Sequence, residues 1–90
     1  MCMAFRVYGI VQGVGYRRFA QREAQALELR GWVCNEMDGS VSGEAEGGAA
    51  ELAAFRARLA EGPGYGTVER LDWTPLDMGH SLPFPFAIHR

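Results

Sequence analysis

Ninety residues, 48% hydrophobic and 22% charged, suffice for one small globular domain, expected to span positions 1–90. The formal net charge is −2 and all nine basic residues are arginine; this argues against tracking a nucleic-acid backbone but leaves room for one small anion beside a well-placed guanidinium. No apolar run reaches the roughly 18 residues of a membrane span, and MCMAFRVYG lacks the basic flank and long apolar core of a secretory signal, so a cytoplasmic location is expected.

In chain order, AFRVYGIV alternates and is rich in β-branched and aromatic residues, predicting a strand from Ala4 to Val11. Gly13-Val14-Gly15 then breaks it. Tyr16, Ala20, Ala24 and Leu27 recur at helical steps, predicting a helix from Tyr16 to about Leu29 that Gly31 ends. Trp32 to Asn35 reads as a second strand, and Asp38-Gly39 marks a tight hairpin leading to a third, Val41 to Glu46. Leu52, Phe55 and Leu59 define a second helix, stopped by Gly62-Pro63-Gly64. A fourth strand is expected from Thr67 to Thr74, a loop from Pro75 to Pro83, and a short last strand through Phe84, Phe86 and Ile88, against which Pro85 counts. The order is β-α-β-β-α-β plus a terminal strand. It predicts an α+β, ferredoxin-like split β-α-β sandwich: an antiparallel sheet with two helices on one face.

The stretch VQGVGYR, Val11 to Arg17, carries the chemistry. A strand feeds a glycine turn and then the first turn of a helix, whose leading amides lack intrahelical partners. Without side chains at Gly13 and Gly15 those amides can converge on an anion, and Arg17 adds a fork of donors suited to phosphate oxygens. The same turn is also what a chain needs merely to pass from strand to helix, with Arg17 a solvated surface residue; the physics alone leaves both open. It is no nucleotide P-loop, because the Gly-Lys-Ser/Thr ending is missing, and no dinucleotide fingerprint, because the third glycine is absent.

VQGVGYR, followed by GWVCN at Gly31 to Asn35 and by Asp38-Gly39-Ser40-Val41, resembles the acylphosphatase family, small hydrolases of carboxyl-phosphate anhydrides. The likeness runs along the whole chain, to the Gly-Pro after the second helix and a terminal Phe86-Ala87-Ile88. It implies a phosphate-binding loop at Gln12, Gly13, Val14, Gly15 and Tyr16, a substrate-binding arginine at Arg17, and a water-positioning asparagine at Asn35. It implies a small acyl phosphate as substrate and no cofactor; no carboxylate pair or His/Cys cluster suggests a metal site, and the oligomeric state is left open, with a monomer the simplest expectation. Ile10 stands where the family's arginine is usual and Cys34 where a basic residue is common; both flank the motif. The segment from Asp72 to Phe84 is the least family-like.

A non-catalytic module could hold a phosphorylated ligand in the same cradle. Hydrogenase-maturation carbamoyltransferases also contain such a domain, but need further domains, so a chain ending at Arg90 favours a stand-alone enzyme. An RNA-recognition module of this topology needs stacking aromatics on its central strands, whereas VSGEAE offers two glutamates. Cys2 and Cys34 have no metal-ligand spacing, and a disulfide is not expected in a chain without an export signal. His80 and His89 lie outside both motifs and are expected at the surface.

Overall fold

The computed structural model describes residues 1–77 and 81–89. Seven elements follow in order: β1 (Cys2–Ile10), α1 (Tyr16–Ala26), β2 (Arg30–Asn35), β3 (Val41–Glu46), α2 (Ala49–Glu61), β4 (Thr67–Leu76) and β5 (Ala87–Ile88). The sheet order is β4-β1-β3-β2-β5. Alternation decides which side of each strand is buried. Met3, Phe5 and Val7 of β1, Val33 of β2 and Val41 and Ala45 of β3 meet Tyr16, Ala20 and Ala24 of α1 and Leu52, Phe55 and Leu59 of α2 in one core. Both helices thus cover the same face, as expected. Phe55 is the hinge of that core, edge-on to Phe5 and to Phe86, each with ring centroids 5.7 Å away.

The sheet is mixed, in contrast to the antiparallel sheet expected. β1 pairs antiparallel with β3 and β4, and β2 antiparallel with β3, but β5 lies parallel to β2 through Trp32↔Ala87 and Val33↔Ile88. Only Ala87 and Ile88 form this strand. Pro85 has no amide to give a ladder, and pairing with β2 starts at Ala87; Phe86 lies in the core while Phe84 is exposed. Side chains of Gln21 and Gln25 on α1 both donate to the carbonyl of Phe86, at 3.2 and 3.1 Å, fastening this last segment to the helix.

α1 also ends earlier than predicted. The chain leaves it at Leu27, and Glu28 takes a left-handed conformation (φ 56°) while the amides of Glu28 and Leu29 return to Gln25 and Ala24. Gly31 is already a residue of β2. Its role is close approach: a Cβ there would collide with the carbonyl oxygen of Glu44.

The topology gathers one end of the sheet. Because β1 and β2 each run antiparallel to β3, they point the same way, and β5 follows β2. The loop after β1, the end of β2 at Asn35 and the end of β5 at Ile88 therefore meet at one edge, where α1 begins.

Candidate active site

That edge holds a cleft of about 480 Å³ lined by Val11, Gly13, Gly15, Tyr16, Arg17, Arg18, Asn35 and Ile88. Of the seven residues expected to form the site, five line it together; Gln12 and Val14 belong to the same loop with their side chains engaged elsewhere. Val14 packs against the core. The carboxamide of Gln12 donates to the carbonyls of Glu36 at 2.7 Å and Ser40 at 2.8 Å.

Gly13 and Gly15 have φ of 76° and 77°, in the left-handed region that glycine enters without strain. A Cβ at either position would meet nothing within 4 Å. Their absent side chains therefore relieve no crowding within the protein; they set the turn and leave open space over its amides. Gly15 is the N-cap of α1, supplies no side-chain cap, and no acidic residue follows in the first turn. No carboxylate in the first turn of α1 answers the partial positive charge of that helix end.

Tyr16 lines the cleft with its ring directed inward. It is 1% exposed, and its hydroxyl donates to the carbonyl of Leu59 at 2.7 Å. Burial pushes that hydroxyl well above its ordinary value of 10, so it stays protonated. Arg17 follows, half-buried, and enters no ion pair with a described residue. Burial pushes the nearby Cys34 thiol up, and the charge of Arg17 is a minor opposing influence.

Asn35 closes the opposite side. It is the last residue of β2, exposed, and its side chain makes no hydrogen bond with a described residue. The hairpin after it is well braced. Asp38 accepts from the amide of Ser40 at 2.9 Å and from its hydroxyl at 2.6 Å, as expected of a hairpin aspartate. Arg6 of β1 reaches over to donate to Ser40 at 2.9 Å and to Asp38 at 3.0 Å. On the sheet face away from the helices, the hydroxyl of Ser42 donates to the carboxylate of Glu36, and the thiol of Cys34 lies 3.5 Å from the same oxygen. The Ser42 hydroxyl foremost, then the Cys34 thiol, hold the Glu36 carboxyl below its ordinary range.

Three lining residues, Val11, Arg18 and Ile88, were outside the expected set. Ile88 lies more than fifty positions beyond Asn35, and only the parallel pairing of β5 brings it to the cleft. Arg18 had a signal, as a second arginine in the first turn of a helix that opens on an anion cradle. His89 is exposed as expected, though stacked on Trp32 at 5.3 Å; His80 lies outside the described residues. Cys2 and Cys34 are both free thiols. No helix among the described residues is long and apolar enough to cross a membrane.

Comparison with known proteins places the chain in a family. The acylphosphatase from Leuconostoc mesenteroides subsp. mesenteroides is 45% identical over 79 residues, covering 87% of this chain and 88% of that protein. The crystal structure of acylphosphatase from Bacillus subtilis superposes with a TM-score of 0.90 at 33% identity, covering 99% of this chain and 98% of that one. The chain also matches 12% of the much longer HypF of T. kodakarensis, at 29% identity and a TM-score of 0.81. The family model for acylphosphatase matches residues 3–84. A family model over nearly the whole chain, and a relative 45% identical over most of both chains, make the chain a member of the acylphosphatase family.

Proposed function

We propose that this acylphosphatase hydrolyses small acyl phosphates by in-line attack of a water held by Asn35 on a phosphoryl group held by Arg17 and the amides of the Gln12–Tyr16 loop. The observation that carries the reading is the meeting of the contiguous Gly13–Arg17 stretch with Asn35, from the end of β2, around one cleft.

The substrate is a carboxyl-phosphate anhydride. The water oxygen bonds to phosphorus as the bond from phosphorus to the acyl oxygen breaks, releasing a carboxylate and inorganic phosphate. A carboxylate is a good leaving group near neutral pH, so little general-acid help is needed. What the protein supplies is position and charge. The open amides at Gly13 and Gly15 and the uncapped start of α1 receive the phosphoryl oxygens, and the guanidinium fork of Arg17 shares their charge. Asn35 offers both an amide donor and a carbonyl acceptor, enough to aim a water while leaving it nucleophilic. The proton leaving that water passes to a phosphoryl oxygen of the substrate itself. A pH–rate profile that demands an ionised enzyme base would refute this last step.

The two free thiols suit the reducing cytoplasm in which we place the enzyme. The test is phosphate release from acetyl or benzoyl phosphate, without added metal, by the wild type and by Arg17→Ala and Asn35→Ala. Removing one preorganised donor typically costs about 10²–10³ in rate. Arg17→Ala is expected to lose at least that in kcat/KM and to bind inorganic phosphate poorly. Asn35→Ala is expected to lose kcat with KM retained; a rise in KM alone would remove the water-positioning role.

A further inference from the structure

We infer that Gln12 is a positioning residue, whose carboxamide sets the separation between the phosphate-holding loop and the strand end that carries Asn35. This rests on the reading above, in which Arg17 and Asn35 act on one substrate.

The sheet order creates the need. β1 and β2 are not neighbours, because β3 lies between them. With adjacent strands about 4.8 Å apart, the loop leaving β1 and the end of β2 are separated by roughly 10 Å of sheet. No ladder bond joins them directly, and the twist of the intervening strand is free to change their spacing. Gln12 spans this gap. A primary amide has two N–H donors, and the structure directs the Gln12 nitrogen to two hairpin carbonyls, Glu36 at 2.7 Å and Ser40 at 2.8 Å. These two residues bracket the turn, since the amide of Glu36 itself donates to the carbonyl of Ser40 at 2.8 Å. Glu36 is the residue after Asn35, and Gln12 is the residue before Gly13. One side chain therefore locks the root of the water-positioning residue to the root of the anion cradle. Arg6 braces the same hairpin from β1, but through Asp38 and Ser40 side chains, with no hold on the backbone beside Asn35.

Only a group with donors at that reach can do this. Gln12→Met keeps the length and removes both donors. Gln12→Glu is an acceptor when ionised, facing two carbonyl oxygens, and recovers one O–H donor when protonated. The experiment measures kcat, KM and inhibition by inorganic phosphate for both variants, below their melting transitions, alongside Arg17→Ala and Asn35→Ala. Misplacement by about an ångström can cost up to 10²-fold, so Gln12→Met is expected to lose about 10- to 100-fold in kcat, with KM and phosphate inhibition near wild type. Gln12→Glu is expected to be as slow at neutral pH and to regain activity relative to wild type as pH falls. The surrounding charged and titratable groups, Glu36 and Asp38 on the hairpin, Cys34 on β2, Arg6 on β1 and Arg17 on α1, are common to both proteins, so the ratio of the two profiles isolates position 12.

Full kcat in Gln12→Met, or a Gln12→Glu profile parallel to wild type, overturns the inference. A change confined to KM and phosphate inhibition also overturns it, making Gln12 a ligand of the phosphoryl group. If Gln12→Met does not fold, Gln12→Asn, with both donors but one methylene less reach, carries the same expectation of lowered kcat and retained KM. Wild-type turnover in Arg17→Ala and Asn35→Ala would instead overturn the underlying reading, a result separate from any outcome at Gln12.

Discussion

The hydroxyl of Tyr16 donates to the carbonyl of Leu59, so the first residue of α1 is anchored to the last turns of α2 through the middle of the core. The anion cradle thereby inherits the rigidity of both helices. Tyr16→Phe would leave that carbonyl unpaired in a dry site, at a cost of about 1–3 kcal/mol. We expect a lower Tm with kcat/KM little changed well below it. The pH dependence has a definite sign. Burial raises the folded-state value above the ordinary 10, so the folded protein keeps a proton that the unfolded chain gives up. Stability is full below pH 10 and falls as pH rises past it; Tyr16→Phe should flatten this alkaline limb in a series of thermal melts.

Gly15 separates two kinds of glycine requirement. A methyl there meets no atom, yet the residue would be held at φ 77°. Gly15→Ala is therefore expected to cost about 1–2 kcal/mol from backbone strain alone. It also places a methyl over the amides that receive the phosphoryl group, so inhibition by inorganic phosphate should weaken. A variant with normal phosphate inhibition would show that these amides face another way.

Glu28 carries the same backbone strain without a functional reason. It is exposed, left-handed at φ 56°, and makes no side-chain hydrogen bond with a described residue. Glu28→Gly relieves about 1–2 kcal/mol of strain and gives back about 0.5–1 kcal/mol in chain entropy. A modest gain in Tm with unaltered kinetics is expected. A loss would mean that the Glu28 side chain contributes more than its strain costs.

The hairpin beside Asn35 should loosen in acid. The hydroxyl and then the amide of Ser40 hold the Asp38 carboxyl below its ordinary value, and Ser42 with Cys34 does the same for Glu36. Folded values below the unfolded ones mean that the stabilisation is present above about pH 4 and lost as pH falls further. Asp38→Asn should flatten the acid limb of the melting curve; an unchanged limb would show that the hairpin does not govern acid stability.

Much of this was legible because local pattern and tertiary role coincide. The alternation of β1 and the 3–4 spacing of Leu52, Phe55 and Leu59 are themselves descriptions of a buried face. The site was legible where chemistry sits in contiguous residues, from Gly13 to Arg17 and at Asn35. What escaped was set by distant partners. Two residues cannot announce a parallel pairing, so the direction of β5, and with it Ile88 in the cleft wall, depended on docking against β2. The end of α1 was misread because Glu28 adopts the conformation that glycine is expected to supply. Gln12 has the right residue type for a phosphate ligand, and only its bonds to a hairpin two strands away redirect its side chain.

The direction of the strands has a practical consequence for handling the enzyme. β1 starts at Cys2, beside Glu46 and Leu76, and runs nine residues toward the cleft, roughly 30 Å at about 3.4 Å per residue. β5 leaves the sheet at Ile88, in the cleft wall itself. A tether or fluorophore joined before Cys2 would hang from the pole opposite the reaction, free to be bulky. The same group joined after His89 would emerge at the substrate's door.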